Sequence, residues 1–422
     1  MLSPRENHNF SLTCKIFCLA VSCLLIFQPL FGQEPKKLPD RRRPFGESLK
    51  RFEKKPDLKT AKPKPTLGGD DDIIRIETNM VVTDALVVNS KGNAIVGLGK
   101  EDFIITEDGV VQEMELFSDG VTAKIPRSIV FIVEVGVIPS MADKSLQAAK
   151  TLVDRLDGND RMAIVNTNTQ LVQDFTSDKK LLKSTLEKLK SEAMGGRHNY
   201  SSLLASLFEL FGAGDIRPII VNQAYGDELS QLKPMWEVNR AACKRKIRGM
   251  CERNYAFSDV VDAAERSRAT IYTVVPGPQF VGLSKEQQIT RAHLYLNGYW
   301  DEIGNKYRNW DVIAQNANQL ERKKQDYIRE WTDVEIFSHV ETQKALIKIT
   351  GMSGGVTNFL EKPEDAEDIY GSIFRMIENR YTIGYYPKNE TRDGKRRTVK
   401  IEVKGHPDYV VMGRKTYFAP EQ

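Results

Sequence analysis

The chain has 422 residues, of which 61 are basic and 57 acidic, so its formal net charge is only +4. Positive charge is concentrated in residues 33–69, which hold twelve basic and five acidic side chains. Because the remainder after residue 69 is then slightly acidic, the composition argues against a nucleic-acid-binding protein with a basic folded surface. This remainder of roughly 350 residues is enough for one large domain or two smaller ones.

Residues 1–32 are predicted to be a secretory signal peptide. Arg5 and Lys15 precede an apolar run over 16–27, and polar residues follow Gly32, which is the order typical of such signals. The run is too short to cross a hydrocarbon core of about 30 Å, which argues against the alternative of an uncleaved membrane anchor. We therefore expect an extracytoplasmic protein that is secreted, periplasmic or associated with the cell envelope.

Residues 33–69 are predicted to be a disordered basic linker, because they are rich in Lys, Arg and Pro and offer little apolar area to bury. The linker is either a solvated spacer or a contact with an anionic envelope surface. Beyond the signal the cysteines are Cys243 and Cys251. A single close pair in an exported protein favours a disulfide bond.

Strand patterns predict an N-terminal β module over 70–124. Apolar residues recur on an even period for much of the way from Ile74 to Val88, and Asp108-Gly109 indicates a tight hairpin. Further strands are predicted in the C-terminal segment 381–422. Strands from the two ends of the chain are expected to pair into one β module beside the domain between them.

The segment 125–380 is predicted to be an α/β domain. The apolar run over 129–133 is typical of a strand buried on both faces. Strands near 162–165, 217–221, 270–275 and 356–359 are predicted to alternate with helices, among them 178–190, 200–211, 258–268, 342–350 and 363–379. This alternation predicts a Rossmann-like parallel sheet with helices on both faces.

Several phrases of the sequence are specific enough to indicate a family. They are Val96–Phe103 with Glu107–Gly109, Arg217–Val221 with Gly226–Leu229, and Arg380–Pro387 with Arg392–Lys395 and Arg414–Pro420. With these phrases, residues 70–420 resemble the von Willebrand factor A-related proteins of acidobacterial type. The resemblance implies a Rossmann-like A domain between β segments and an extracytoplasmic setting, with no known catalytic activity.

The resemblance also implies a place for a divalent metal at the C-terminal edge of the sheet. The family pattern is Asp-x-Ser-x-Ser after the first strand, a Thr in a second loop and an Asp in a third. The matching positions here are Glu134, Gly136, Ile138, Arg197 and Tyr225, and only Ser140 is recovered by allowing two extra residues. Because Mg²⁺ requires oxygen ligands in near-octahedral geometry, we expect a degenerate site without metal, with Mg²⁺ or Ca²⁺ binding as the alternative.

Arg197 is a candidate replacement for the metal. A guanidinium at this position would neutralise Glu134 through a charge-assisted hydrogen bond. The alternative is that Arg197 points to solvent and Glu134 is exposed at the end of its strand. Asp227, which lies past the usual ligand position, is a further candidate ligand or a second partner for Arg197.

Two insertions follow strands of the predicted sheet, near 228–257 and 280–340. Each is therefore expected to leave at the C-terminal edge, where the two would cover the former metal face. The second insertion is predicted to be helical. Its aromatic residues include Tyr295, Tyr299, Trp300, Tyr307, Trp310, Tyr327 and Trp331. These aromatic residues are expected to form the insertion's own small core, with a glycan-binding or protein-binding surface as the alternative.

No hydrolase, metalloprotease or phosphate-binding motif is found in the sequence, so the protein is expected not to be an enzyme. We expect an extracytoplasmic protein-binding module whose partner meets the C-terminal edge of the sheet. One alternative is a metal-dependent adhesion domain that uses Glu134, Ser140 and Asp227. The others are a wall-acting or glycan-acting hydrolase and a structural component of a secreted assembly.

Overall fold

A computed structural model of the chain describes residues 44–53, 80–120, 125–134, 139–189, 198–212, 214–227, 232, 255–306 and 317–421. The strands are β1 (Val81–Val88), β2 (Phe103–Glu107), β3 (Val110–Val111), β4 (Met114–Ser118), β5 (Arg127–Val133), β6 (Arg161–Asn166), β7 (Gln170–Thr176), β8 (Arg217–Gln223), β9 (Thr270–Pro276), β10 (Thr357–Leu360), β11 (Tyr381–Tyr385), β12 (Arg396–Val403), β13 (Val410–Gly413) and β14 (Thr416–Phe418). The helices are α1 (Pro139–Asp154), α2 (Lys179–Leu189), α3 (Asn199–Glu209), α4 (Phe257–Arg266), α5 (Lys285–Lys306), α6 (Ala317–Met352) and α7 (Ala366–Glu378).

A six-stranded, mostly parallel sheet organises the domain, as the alternation of strands and helices predicts. Its order is β10-β9-β8-β5-β6-β7. If these six strands are numbered 1 to 6 in chain order and listed from the β7 edge, the order is 3-2-1-4-5-6. This is a strand order of doubly wound Rossmann-like sheets. The edge strand β7 runs antiparallel to β6. Strand β7 is not predicted from the sequence, since its seven residues include two Gln and an Asp and carry no apolar run.

Helices cover both faces of this sheet because successive side chains of β5 point to opposite sides. Phe131 packs with α1, α2 and α7 in one buried apolar cluster. Ile132 packs with α3, α4 and the last turns of α6 in a second cluster. The helix predicted over 342–350 is thus the end of a continuous helix of 36 residues. Within the described ranges, none of the helices has the length and apolar composition needed to span a bilayer.

The remaining strands form two four-stranded sheets, β13-β1-β11-β4 and β14-β12-β2-β3. Each sheet contains strands from both ends of the described chain: β1 pairs antiparallel with β11 and β13, and β12 pairs antiparallel with β2. Phe103, Ile383, Tyr385 and Val399 contribute to a shared apolar core.

Buried arginines join these sheets to the N-terminal edge of the six-stranded sheet. Arg217, at the start of β8, lies 3.3 Å through its Nε from a carboxylate oxygen of Asp84 in β1. Its Nη2 donates to the carbonyl of Ile377 at 2.9 Å. Because side chains as strongly polar as these are buried only when paired, the Asp84–Arg217 contact determines how β1 approaches β8.

Arg380 makes a similar connection from the start of β11. Its Nη2 donates to the carbonyls of Gly354 and Met412, each at 2.9 Å, and its Nη1 donates to the Tyr272 hydroxyl in β9 at 3.0 Å. Its Nη2 also donates to the carbonyl of Asp84 in β1 at 3.3 Å. This single side chain, which is 1% exposed, therefore contacts four separate parts of the chain.

Arg414, between β13 and β14, donates to the carbonyls of Ala264, Glu265 and Ala269 around the end of α4. Burial lowers the pKa of Arg414 to about 10, so the group stays cationic at neutral pH. A cation at the C-terminal end of a helix is favourable because the helix dipole is negative there. Arg217, Arg380 and Arg414 each begin one of the phrases that indicate the resemblance, so these three phrases begin at this junction.

The prediction of disorder over 33–69 does not hold for residues 44–53. These residues include a 3-10 helix, Glu47–Glu53. Phe45, Leu49 and Phe52 pack, partly buried, against the apolar cluster that contains α3 and α4. The average composition of 33–69 is dominated by charged residues and Pro, so it did not reveal these three apolar residues at helical spacing. Three such residues are enough to attach a short segment to a neighbouring surface.

We expect Asp84→Ala to lower the free energy of unfolding by about 3–5 kcal/mol, because the buried Arg217 guanidinium would lose its carboxylate partner. Asp262→Ala is the matched control, since it removes an exposed carboxylate that pairs with Arg266 one helical turn away, and its expected effect is below about 0.5 kcal/mol. Urea denaturation of both variants measures the difference. Equal effects would contradict the role given to the Asp84–Arg217 pair.

Candidate functional site

The candidate site lies at the C-terminal ends of β5 and β8, which are adjacent parallel strands with Val133 opposite Gln223. Glu134 follows β5, and Tyr225 and Asp227 follow β8. Because parallel strands end at the same edge of a sheet, these residues meet there although about 90 positions separate them in sequence.

Glu134 is buried, with only 3% of its surface exposed. Its Oε2 accepts a hydrogen bond from the main-chain N–H of Tyr225 at 2.9 Å, and its own N–H donates to the carbonyl of Gln223. The carboxylate therefore holds the loop after β8 against the end of β5. This position corrects the alternative in which Glu134 is exposed at the end of its strand.

Asp227 is also buried and caps helix α3. Its Oδ1 accepts the main-chain N–H of Asn199 at 3.1 Å, and its Oδ2 accepts that of Tyr200 at 3.0 Å. These N–H groups belong to the first turn of α3, where no carbonyl within the helix can accept them. The positive end of the helix dipole further stabilises the negative charge. Asp227 is thus bound within the protein, from a loop 28 residues away in sequence.

A pair of amides supports this capping. Asn199 donates through its side-chain nitrogen to the Oδ1 of Asn222 at 2.7 Å, and Asn222 donates back at 3.2 Å. Asn222 belongs to β8, so the pair connects the start of α3 to the central sheet. Because both residues are almost fully buried, each amide provides the partner that the other needs.

Tyr225, the residue that the resemblance matches to an Asp, occupies space beside two glycines. A Cβ at Gly277 would lie 2.3 Å from the Tyr225 hydroxyl oxygen, and Gly277 has φ of +117°, so this position favours glycine on both grounds. The next residue, Gly226, has φ of +78°, and a Cβ there would meet Thr342 and Tyr200 at 3.0–3.1 Å. A large buried ring therefore lies where the resemblance implies a small acidic side chain.

Side chains from α5 and α6 meet Tyr225, and a phenylalanine from the loop after β9 packs behind them. The Tyr225 and Tyr295 hydroxyls are 3.1 Å apart. The His339 ring lies 5.9 Å from Tyr225, stacks on Phe280 at 5.3 Å and meets Tyr295 edge-on at 5.7 Å. We call Tyr225, Phe280, Tyr295 and His339 the aromatic cover. It places part of the second insertion over the edge of the sheet.

Of the seven aromatic residues named in the second insertion, Tyr295 is the one whose side chain the structure describes. It is partly buried and packs against the apolar cluster around α1, α2 and α7. Phe280, Ala292 and Ile336 form a small apolar cluster of their own, which joins α5 to α6. The insertion therefore has a core at its base, and one of its aromatic residues takes part in the cover.

Several predicted site residues lie outside the described residues. They are Arg197, Gly136, the side chain of Ser140, Cys243 and Cys251. The Glu134–Arg197 pair and the disulfide bond therefore stay predictions. The described chain resumes at His198, whose N–H donates to the carbonyl of Thr167, so Arg197 directly precedes the helix start that Asp227 caps.

The described residues do not fit a divalent cation. Both oxygens of Asp227 already accept N–H groups at the positive end of the α3 dipole, where a cation is disfavoured. Glu134 uses one oxygen for the Tyr225 N–H. No group of three or more His, Cys, Asp or Glu side chains in the described part of the chain is arranged to hold a metal ion. Mg²⁺ or Ca²⁺ needs about six or more oxygen ligands.

From the sequence we expected the second insertion to cover this face, but we identified neither Tyr225, Phe280 and His339 as members of the aromatic cover nor Asp227 as a cap. No sequence pattern singles out His339, since its partners Phe280 and Tyr295 lie 59 and 44 positions away. For Asp227 a signal existed. The start of α3 has no Ser, Thr, Asp or Asn at its cap position, which is occupied by His198, so a carboxylate from another loop is a reasonable substitute.

No protein-family model and no curated protein sequence matches the chain. Among solved structures, an aerotolerance-related membrane protein from Bacteroides fragilis is 12% identical over 60% of this chain and 98% of its own, with a TM-score of 0.31. The conserved hypothetical protein BatB from Bacteroides thetaiotaomicron is 13% identical over 60% and 99%, with a TM-score of 0.30. The vWF domain of the type V pili tip protein Mfa5 from Porphyromonas gingivalis is 17% identical over 28% and 44%, with a TM-score of 0.22.

We expect Asp227→Ala to lower the free energy of unfolding by about 2 kcal/mol or more, because two buried N–H groups of α3 would lose their acceptor. Asp178→Ala is the control. The Oδ1 of Asp178 accepts the N–H groups of Lys180 and Leu181 at the exposed start of α2, where water can replace it, so the expected loss is about 1 kcal/mol. Denaturant unfolding monitored by circular dichroism compares the two, and a smaller loss for Asp227→Ala would contradict its role.

Proposed function

We propose that this chain is an extracytoplasmic, non-enzymatic protein-binding module built on a von Willebrand factor A-like domain that acts without a metal ion. The strand order and the loop phrases support the family, and the predicted signal peptide supports the location. In open α/β sheets, partners bind at the carboxyl ends of the strands. The edge formed by the loops after β5 and β8 is therefore the proposed binding edge.

The main support for the proposal is that the Glu134 and Asp227 carboxylates at this edge both accept hydrogen bonds from their own chain. In a metal-dependent adhesion domain the carboxylates bind a cation, and the cation binds an acidic group of the partner. Here Glu134 and Asp227 accept main-chain N–H groups of the same chain. The edge is thus stabilised by internal hydrogen bonds, and recognition has to come from other side chains.

The helices beside this edge offer apolar side chains for that recognition. Leu294 on α5 and Phe337 on α6 are each 71% exposed, and Val334 on α6 is 52% exposed. Leu294 precedes Tyr295, and Phe337 lies half a turn from His339, so both are close in sequence to the aromatic cover. Because exposed aromatic residues are frequent anchors of protein–protein contacts, we assign the partner-binding surface to α5 and α6.

Binding of a divalent cation is tested by thermal unfolding of the whole chain with excess Mg²⁺, with excess Ca²⁺ and with a chelator. We expect the same Tm in all three conditions. A cation bound at a hundred times its Kd would add about 2.7 kcal/mol of stability and would raise the Tm clearly. Such a rise, abolished in a Glu134→Ala variant, would support the metal-dependent adhesion domain instead.

The binding surface is tested by recovering partners from the native envelope in the presence of chelator. We expect Phe337→Ala to reduce the recovery of the wild-type partner about tenfold, as the loss of an aromatic anchor does. Val410→Ala is the control, since Val410 lies on β13 and is 53% exposed, and it should bind like the wild type. Recovery that falls in Arg197→Ala but not in Phe337→Ala would assign the contact to the residues that precede α3 in sequence.

A further inference from the structure

Residues 45–53, here called the docking segment, lie on a patch formed by α3 and its neighbours. The patch consists of Thr169 in the turn after β6, Phe208 and Glu209 at the end of α3, and Tyr255 before α4. It is a different surface from the binding edge and from α5 and α6. The docking segment is attached to it by hydrogen bonds at one end and aromatic contacts at the other.

Glu209 provides the polar half of the attachment. Its carboxylate accepts the main-chain N–H of Gly46 at 3.0–3.1 Å, the N–H of Ser48 at 2.9 Å and the Ser48 hydroxyl. A carboxylate in the last turn of a helix opposes the helix dipole. The position of Glu209 is therefore unfavourable for α3 by itself, and the donors of the docking segment offset that cost.

Phe52 and Arg51 provide the second half of the attachment. The Phe52 ring lies 6.3 Å from that of Phe208 and 5.8 Å from that of Tyr255. The Arg51 guanidinium lies over the Phe208 ring at 4.1 Å, a distance at which the cation is attracted to the ring. The aromatic contacts thus anchor the end of the segment that is opposite to Gly46.

Gly46 makes the close approach possible. It has φ of +90°, and a Cβ there would lie 3.2 Å from the Thr169 methyl group. Glycine is therefore favoured at this position by both conformation and space. The docking segment carries a combination of features that matches this one patch: Gly46, the Ser48 donors, Arg51 and Phe52.

The covalent connection does not require the docking segment to bind its own chain. Residues 54–79, 26 in number, separate it from the first described residue before β1. A chain of that length reaches up to roughly 85–95 Å when extended, which is longer than the diameter of a domain of this size. The patch of a neighbouring copy is therefore within reach.

We propose that the docking segment is exchangeable between molecules, and that the patch also binds the docking segment of a second copy of this chain. Every copy carries both the segment and the patch, and the contacts are the same in either arrangement. Binding within one chain is favoured by an effective concentration in the millimolar range. Exchange between chains therefore becomes important where copies are concentrated, as in an assembly.

The proposal is tested by complementation between two full-length variants. The first, Phe45→Ala with Phe52→Ala, has an intact patch and a defective segment. The second, Glu209→Ala, has an intact segment and a defective patch. We expect each variant alone to sediment as one chain and an equimolar mixture to form a species of two chains. Only in the mixture do an intact segment and a vacant patch meet without competition.

A second mixture provides the control. Glu187→Ala removes an exposed carboxylate on α2 that pairs with Lys150 and leaves the patch intact. Mixed with the segment variant, it should associate about tenfold or more weakly, because its own patch retains its segment. The proposal is overturned if the first mixture stays monomeric at about 1 mM while both variants are folded by circular dichroism. It is also overturned if either variant associates alone, or if the two mixtures associate equally.

Discussion

The buried guanidinium groups at the N-terminal edge of the six-stranded sheet constrain the rest of the fold. A buried arginine is tolerated only when most of its donors are matched, and the partners of Arg217 and Arg380 include Asp84 in β1 and Met412 in β13, which are strands from opposite ends of the described chain. The β sheets and the α/β sheet therefore have to meet in one orientation for these charges to be buried. Arg414 extends the same constraint to the end of α4. Three of the phrases that indicate a family in this sequence thus begin at this junction, and the proposed binding edge lies at the other end of the six-stranded sheet.

At the C-terminal edge of the six-stranded sheet the buried charges are negative. Carboxylates there accept hydrogen bonds from main-chain N–H groups, whereas arginines at the N-terminal edge donate hydrogen bonds to main-chain carbonyls. Asp227 satisfies the start of α3 and Glu134 holds the loop after β8, so both acidic groups are needed for the local structure. An A domain that binds a cation has to keep such groups available. This difference, together with the aromatic cover around Tyr225, is the physical basis for proposing recognition by apolar side chains of α5 and α6.

The docking segment is an exception to what the average composition of its stretch predicts. Averaged over 33–69, the chain is basic and poor in apolar residues, which predicts that most of it cannot pack. Attachment of a short segment needs only a few contacts at the right spacing, and Phe45, Leu49 and Phe52 supply them. Because their partners Phe208 and Glu209 lie more than 150 positions away, no local pattern revealed that a surface existed to receive them.

The sequence by itself determined the alternation of strands and helices, the mostly parallel sheet and the edge at which Glu134 and Asp227 meet. These features follow from local periodicity and from the rule that adjacent parallel strands end together. Only the tertiary structure decided what those carboxylates bind. Their partners depend on where α3 begins and on the direction of the Tyr225 N–H, and the aromatic cover depends on helices from a distant insertion. A contact between residues far apart in sequence leaves no periodic signal, so it emerges only when packing brings the elements together.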